Sequence, residues 1–126
     1  MQAVDPHPVI LVVDDEAILR LVATDMLEDE GFKVIEASNA DAALDVLACR
    51  RDVRLIFTDV HMPGSMDGLD LVNEVHSRWP DVLLVITSGR SLPLKEEIPD
   101  DGRFIPKPYD SRRLLREVND LFATHS

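Results

Sequence analysis

Short runs of β-branched and aliphatic residues alternate along the chain with longer stretches in which apolar residues recur every three or four positions. The short runs cover residues 9–13, 33–36, 54–58, 82–87 and 103–106, with the length and make-up of buried strands. The stretches between them read as helices. In the first, Ile18, Leu19, Val22, Ala23 and Met26 form a stripe closed by Gly31, a residue type that stops helices by adopting left-handed backbone angles. In the second, over residues 40–49, Ala43, Leu44 and Leu47 share a face, with Ser38 or Asn39 as the N-cap. A third stripe of Leu69, Val72, Val75, His76 and Trp79 ends at Pro80. The last, Leu114, Leu115, Val118, Leu121 and Phe122, opens at Asp110 or Ser111.

Strands alternating with helices predict βαβ units with right-handed crossovers. The expected fold is therefore α/β, a (βα)5 doubly wound, five-stranded parallel sheet. Residues 91–102 are the exception, because Pro93 and Pro99 interrupt any long helix there. A shortened or irregular fourth helix is expected in that stretch. Residues 1–126 read as one domain with a flexible tail at 1–7, and with no linker, repeat or low-complexity segment.

Charge adds a second pattern. The net charge is −11, and residues 1–89 carry all of it, with 17 acidic and 6 basic side chains. An acidic body of this kind disfavours nucleic acid, whose phosphates need a basic surface. No apolar run approaches a membrane span, and the first residues lack the basic and apolar regions of a secretory signal. Cys49 is the only cysteine, so an intrachain disulfide and a thiolate metal cluster are both excluded. On helix two it reads as a semi-buried small hydrophobe. A cytoplasmic location is the default expectation.

Solubility explains most of the acidic excess but not where four of the carboxylates stand. The first strand runs into Asp14-Asp15-Glu16, and the third into Asp59. Parallel strands that expel carboxylates at their C-terminal ends place them on the sheet edge where open α/β folds bind ligands. Like charges gathered there call for a cation or a shifted pKa. Asp14, Asp15 and Asp59 offer hard oxygen ligands suited to Mg²⁺, although acidic residues at that point also suit a helix N-terminus. Asp59 reads as a third ligand, as a nucleophile, or as both. Lys107, between Pro106 and Pro108, follows the fifth strand and is placed to reach a carboxylate or phosphoryl oxygen. A cis bond before Pro108 fits this setting. Ser88, with Thr87 as its competitor, ends the fourth strand with a hydroxyl. Taken singly, a surface lysine and a serine before glycine are ordinary; their order is not.

That order is carried by Val12-Val13-Asp14-Asp15-Glu16, Asp59-Val60-His61-Met62-Pro63, Met66-Asp67-Gly68, Thr87-Ser88-Gly89 and Lys107-Pro108. Over roughly its whole length the chain resembles a receiver domain of a two-component response regulator, with its flavodoxin-like, CheY-like fold. The resemblance implies that Asp59 is the phosphoacceptor, served by a sensor histidine kinase or histidine phosphotransfer protein. It implies that Asp15 and Asp59 bind Mg²⁺ directly with the His61 backbone carbonyl, and that Asp14 acts through metal-bound water. Lys107 would contact the acceptor and then the phosphoryl group. Ser88 would be the switch hydroxyl and Phe104 the switch aromatic. An unidentified downstream protein would read the switch, with the chain a monomer or weak dimer and neither nucleic acid nor membrane as partner.

Three departures accompany the resemblance. Ser65 lengthens the loop after Pro63, the 91–102 stretch is atypical, and Phe104 stands where a tyrosine is often found. The native-looking Met1 and short polar tail favour a stand-alone regulator over a piece of a hybrid kinase, with no DNA-binding output domain. Two other readings compete. A phosphorylation-independent pseudo-receiver would keep the fold and bind partners only. An Mg²⁺-dependent phosphohydrolase with an aspartyl-phosphate intermediate would need a second Asp where His61 stands. The expected chemistry is thus self-phosphorylation and self-dephosphorylation at Asp59 rather than turnover of a substrate.

Overall fold

The computed structural model describes residues 8–64, 66–89, 98–99 and 102–124. Five strands, β1 (Val9–Val13), β2 (Lys33–Ala37), β3 (Val53–Asp59), β4 (Leu83–Ser88) and β5 (Arg103–Pro106), form one sheet in the order β2-β1-β3-β4-β5. All four pairings are parallel. The helices are α1 (Ala17–Asp29), α2 (Ala40–Cys49), α3 (Gly68–Arg78) and α4 (Ser111–Thr124). The expected doubly wound sheet is therefore present. The tail at 1–7, Ser65, and nearly all of the 91–102 stretch lie outside the described residues.

Strand parity sorts the core into two layers. Leu11, Val13, Ile56, Leu84 and Ile86 face α2 and α3, packing on Ala43, Leu47, Leu71, Val72 and Val75. Ile10, Val12, Phe57, Val85 and Ile105 face α1 and α4, packing on Ala23, Leu27, Leu114, Val118 and Leu121. With both faces covered, the central strands are apolar throughout instead of alternating.

The helix ends follow their sequence signals. The Asn39 side chain accepts a hydrogen bond from the Ala42 N–H at 2.8 Å. Asp67 and Asp70 form a reciprocal capping box at the start of α3. The Asp110 carboxylate accepts from the Arg113 N–H at 2.9 Å and so opens α4. Gly31 ends α1 with φ of 100°. The Gly31 N–H donates to the Glu28 carbonyl and the Phe32 N–H to that of Leu27, the paired bonds of a Schellman motif.

Three expectations about helix faces need correction. Of the α1 stripe only Ala23 and Met26 reach the core: Ile18, Leu19 and Val22 are exposed, as is Leu21, and the buried face is Ala23, Thr24 and Leu27. His76 is exposed, and Leu71 takes the core position on α3 that the spacing did not single out. Cys49, expected to be semi-buried, is also exposed.

Thr24 buries its hydroxyl with no hydrogen-bond partner among the described residues, which leaves a desolvated polar group uncompensated. Thr24→Val keeps the branched shape and removes that group. It is expected to raise unfolding stability by about 1 kcal/mol, read as a higher urea midpoint with an unchanged slope.

Candidate functional site

The C-terminal edge of the sheet gathers the polar residues. Order β2-β1-β3 makes the chain leave β1 in one direction and return for β3 on the other side, which opens a crevice between the ends of β1 and β3. Asp14 follows β1, and Asp59 is the last residue of β3. Asp59 lies two residues beyond Phe57 and so shares its side of the sheet, toward α1 and α4.

Asp59 and Asp14 are 6% and 7% exposed, unusual burial for carboxylates. The Lys107 ammonium donates to Asp59 Oδ2 at 2.5 Å, and the His61 backbone N–H donates to Oδ1 at 3.0 Å. Asp14 Oδ1 accepts from the Glu16 N–H at 2.9 Å, while Arg20 holds the Asp14 carbonyl at 2.7 Å. Burial pushes the Asp14 carboxyl above its ordinary range, and the charges of Asp59 and Asp15 add to the push. The Glu16 N–H and Lys107 oppose it. Asp15 is exposed at the rim.

The backbone around Asp59 is closely held. The Val60 N–H donates to the Thr87 carbonyl at 2.9 Å, and the Gly68 N–H to the Val60 carbonyl at 2.8 Å. A Cβ at Gly68 would stand 1.9 Å from the Asp59 carbonyl oxygen. The start of α3 thus rests directly on the phosphoacceptor candidate's own backbone. In the sequence Gly68 stands out only as part of a motif, and the signal available was a glycine immediately after an N-cap.

Ser88 is buried at the end of β4, and its carbonyl accepts the Lys107 N–H at 3.0 Å. Its competitor Thr87 donates its hydroxyl to the Ile105 carbonyl at 2.7 Å and is thereby committed to holding β5. Phe104 is half-buried against the α2–α3 layer, opposite Ile86 of β4. The His61 side chain is exposed, so its contribution here is backbone.

The Lys107-Pro108 bond is cis. Just beyond it, Tyr109 packs edge-on against Phe57 with ring centroids 5.7 Å apart. Its phenol is pushed up to about 12, chiefly by burial and then by the charges of Asp14 and Asp59. The sequence pattern assigned Tyr109 no role, although its place two residues after Lys107 was a usable signal. A raised phenol pKa favours the folded state below pH 10, and that contribution is lost between pH 10 and about 12. Because Tyr109 is the only tyrosine, phenolate absorbance reports it alone. The native chain should stay silent through pH 10–11, whereas the urea-unfolded chain titrates near 10.

Among the described residues, no three His, Cys, Asp or Glu side chains converge as a ready-made metal cage. The donor set nevertheless suits Mg²⁺, which takes one or two carboxylates and keeps several waters. A buried carboxylate that burial drives toward neutrality, as at Asp14, is where a hard cation relieves the cost.

Comparison with known proteins bears on the family and the fold. The family model "Response regulator receiver domain" matches residues 10–119. The nitrogen assimilation regulatory protein NtrX of Azorhizobium caulinodans is 37% identical over 113 residues, covering 84% of this chain and 24% of that protein. The two-component response regulator ORR3 of Oryza sativa subsp. indica is 31% identical over 122 residues, covering 90% of this chain and 92% of ORR3. A response regulator receiver protein from Sinorhizobium medicae superposes with a TM-score of 0.85 at 27% identity, covering 96% and 98% of the two chains. The chain thus spans about a quarter of the length of some relatives and nearly all of others. Among the described residues, no helix is long and apolar enough to cross a membrane.

Proposed function

The chain belongs to the response regulator receiver family, and from that premise we propose that Asp59 accepts a phosphoryl group from a phosphohistidine on a histidine kinase or phosphotransfer protein. One observation carries the reading: a buried Asp59 carboxylate held by Lys107 at 2.5 Å, with a second buried carboxylate, Asp14, across the crevice. An Asp59 oxygen attacks phosphorus, the N–P bond breaks, and the imidazole leaves with the electron pair. Little covalent chemistry falls to the protein, so positioning and charge neutralisation supply most of the catalysis. Mg²⁺, held by Asp15, Asp59 and the His61 carbonyl and by Asp14 through water, would screen the repulsion between the two anions. Lys107 neutralises the carboxylate beforehand and the phosphoryl oxygens afterwards. The chain's own chemistry is confined to gain and loss of that group, in the cytoplasm.

The output in this reading is a population shift. The Ser88 hydroxyl turns to a phosphoryl oxygen, and Phe104 repacks against the α2–α3 layer. Moving such an equilibrium from 1:99 to 99:1 takes about 5.5 kcal/mol. That exceeds one charge-assisted hydrogen bond, so a downstream protein that binds the active state supplies the rest.

The donor is a protein surface as well as a phosphohistidine. Ile18 is 77% exposed, with Leu19, Leu21 and Val22 beside it, on the helix that starts at the acidic rim. Apolar exposure next to an anionic site suits a docking partner. Ile18→Asp is expected to slow transfer from a phosphohistidine protein roughly tenfold, the equivalent of about 1.4 kcal/mol, and to leave uptake from acetyl phosphate unchanged.

The test of phosphoryl acceptance is intact mass after incubation with acetyl phosphate. A phosphoryl-sized gain that requires Mg²⁺ and disappears with chelator is expected. No gain, together with no beryllofluoride binding, would sink phosphoryl acceptance and leave a phosphorylation-independent binding module.

A further inference from the structure

At the opposite edge of the sheet from Asp59 lies an open groove of about 970 Å³. Its lining includes Arg50, Arg51, Arg54 and Arg78, together with His76 and Trp79. Residues 1–89 hold 6 basic side chains against 17 acidic ones. Four of those six therefore meet at this one place. Among the described residues, Asp81 is the only carboxylate in the lining.

Internal pairing does not absorb all of this charge. Arg50 is held by Asp52 at 2.6 Å. Arg78 lies 3.6 Å from Glu74 and stacks 4.4 Å above the Trp79 ring. Arg51 and Arg54 are exposed and, among the described residues, their side chains make no hydrogen bond or ion pair. Around them the floor is apolar, with Leu83, Phe122 and Trp79 half-buried.

We propose that this groove binds an acidic, partly apolar segment of a partner protein. Guanidinium clusters recognise carboxylates by paired hydrogen bonds, and Trp79 and Phe122 offer surface for apolar side chains between them. The cations come from three places: the α2–β3 connection, β3 itself and the end of α3. That spread suits an extended chain better than a single small anion. A nucleic acid would meet an otherwise acidic molecule of net charge −11. The groove is on the far edge from Asp59, so its occupant and a phosphodonor would bind without colliding. Binding here is independent of phosphoryl acceptance and would survive its failure.

Trp79 is the only tryptophan, so its fluorescence reads the groove directly. The probes are a synthetic peptide alternating Glu with Leu, its Gln-for-Glu counterpart, and ADP and inorganic phosphate as small anions. The expected result is a saturable shift of Trp79 emission with the Glu peptide, and a much weaker one with the Gln peptide. Arg51→Glu with Arg54→Glu should weaken the Glu peptide at least about tenfold. Circular dichroism and acetyl phosphate uptake should not change in that variant, since both residues are exposed and remote from Asp59. Should the charge reversal disturb folding, Arg51→Gln with Arg54→Gln gives the same comparison. No saturable shift, equal binding of the Gln peptide, or equal binding by the variants would overturn the proposal. So would displacement of the peptide by ADP or phosphate at lower concentration, which would make this a small-anion site.

Discussion

Asp59→Asn should abolish phosphoryl acceptance, reducing the mass gain from acetyl phosphate to the detection floor while the fold survives. The carboxamide has nearly the same shape but no anionic oxygen to attack phosphorus. Two electrostatic consequences oppose each other. Lys107, with 22% of its side chain exposed, loses the partner that held it at 2.5 Å. At the same time Asp14 loses a like charge that helps to push its carboxyl upward. Breaking a partly buried pair costs stability, and relieving a like-charge contact returns some of it. The expected net change is small, roughly 1 kcal/mol in either direction. Urea unfolding beside the mass measurement checks this. A variant that still gains a phosphoryl group would remove Asp59 from its assigned role, whatever its stability.

Gly68→Ala is expected to damage the fold strongly. The added Cβ would lie 1.9 Å from the Asp59 carbonyl oxygen, 2.7 Å from its carbon and 2.8 Å from the Val60 Cα. All three are backbone atoms, so no side-chain rotation relieves the clash. Either α3 lifts away from β3, breaking the Gly68 N–H bond to the Val60 carbonyl, or the end of β3 moves and carries Asp59 with it. Overpacking of this kind costs about 3 kcal/mol. The protein should lose that much unfolding stability, and the surviving folded fraction should take up phosphoryl groups more slowly. Gly89→Ala is the useful contrast, because its Cβ would meet Lys107 only at 3.5 Å, ordinary contact. Equal stability of Gly68→Ala and wild type would show that the close approach is not maintained in solution.

Strands were easier to read from the sequence than helix faces, for a physical reason. A central strand buried on both faces is apolar at nearly every position, as β1 is, and the edge strands β2 and β5 still showed as short apolar runs, so all five were located to within a residue or two. Helix α1 has apolar residues around most of its circumference, from Ile18 to Leu27. Periodicity alone cannot choose between two apolar faces, and the choice falls to where the helix crosses the sheet. The site carboxylates were legible because an ionisable residue directly after a buried apolar strand must emerge at the sheet edge, where ligands bind. Lys107 was legible through its place in strand order. The close approach at Gly68 and the packing of Tyr109 on Phe57 were not, since a glycine after an N-cap and an aromatic after Lys107 mark positions without saying which backbone or ring each will meet. His76 misled in the opposite sense, because its spacing matched a core stripe while its side chain faces solvent in the arginine-lined groove.

The hydrogen bond from the Lys107 N–H to the Ser88 carbonyl ties together two residues assigned separate tasks. Lys107 anchors charge at Asp59, and Ser88 responds to the phosphoryl group, yet their backbones are joined. A displacement of Ser88 along the crevice must either carry the Lys107 backbone with it or sever that bond. The two are therefore one mechanical linkage, and their substitutions should not add: the lifetime of the phosphorylated state in a Ser88→Ala, Lys107→Arg double variant should depart from the product of the single effects.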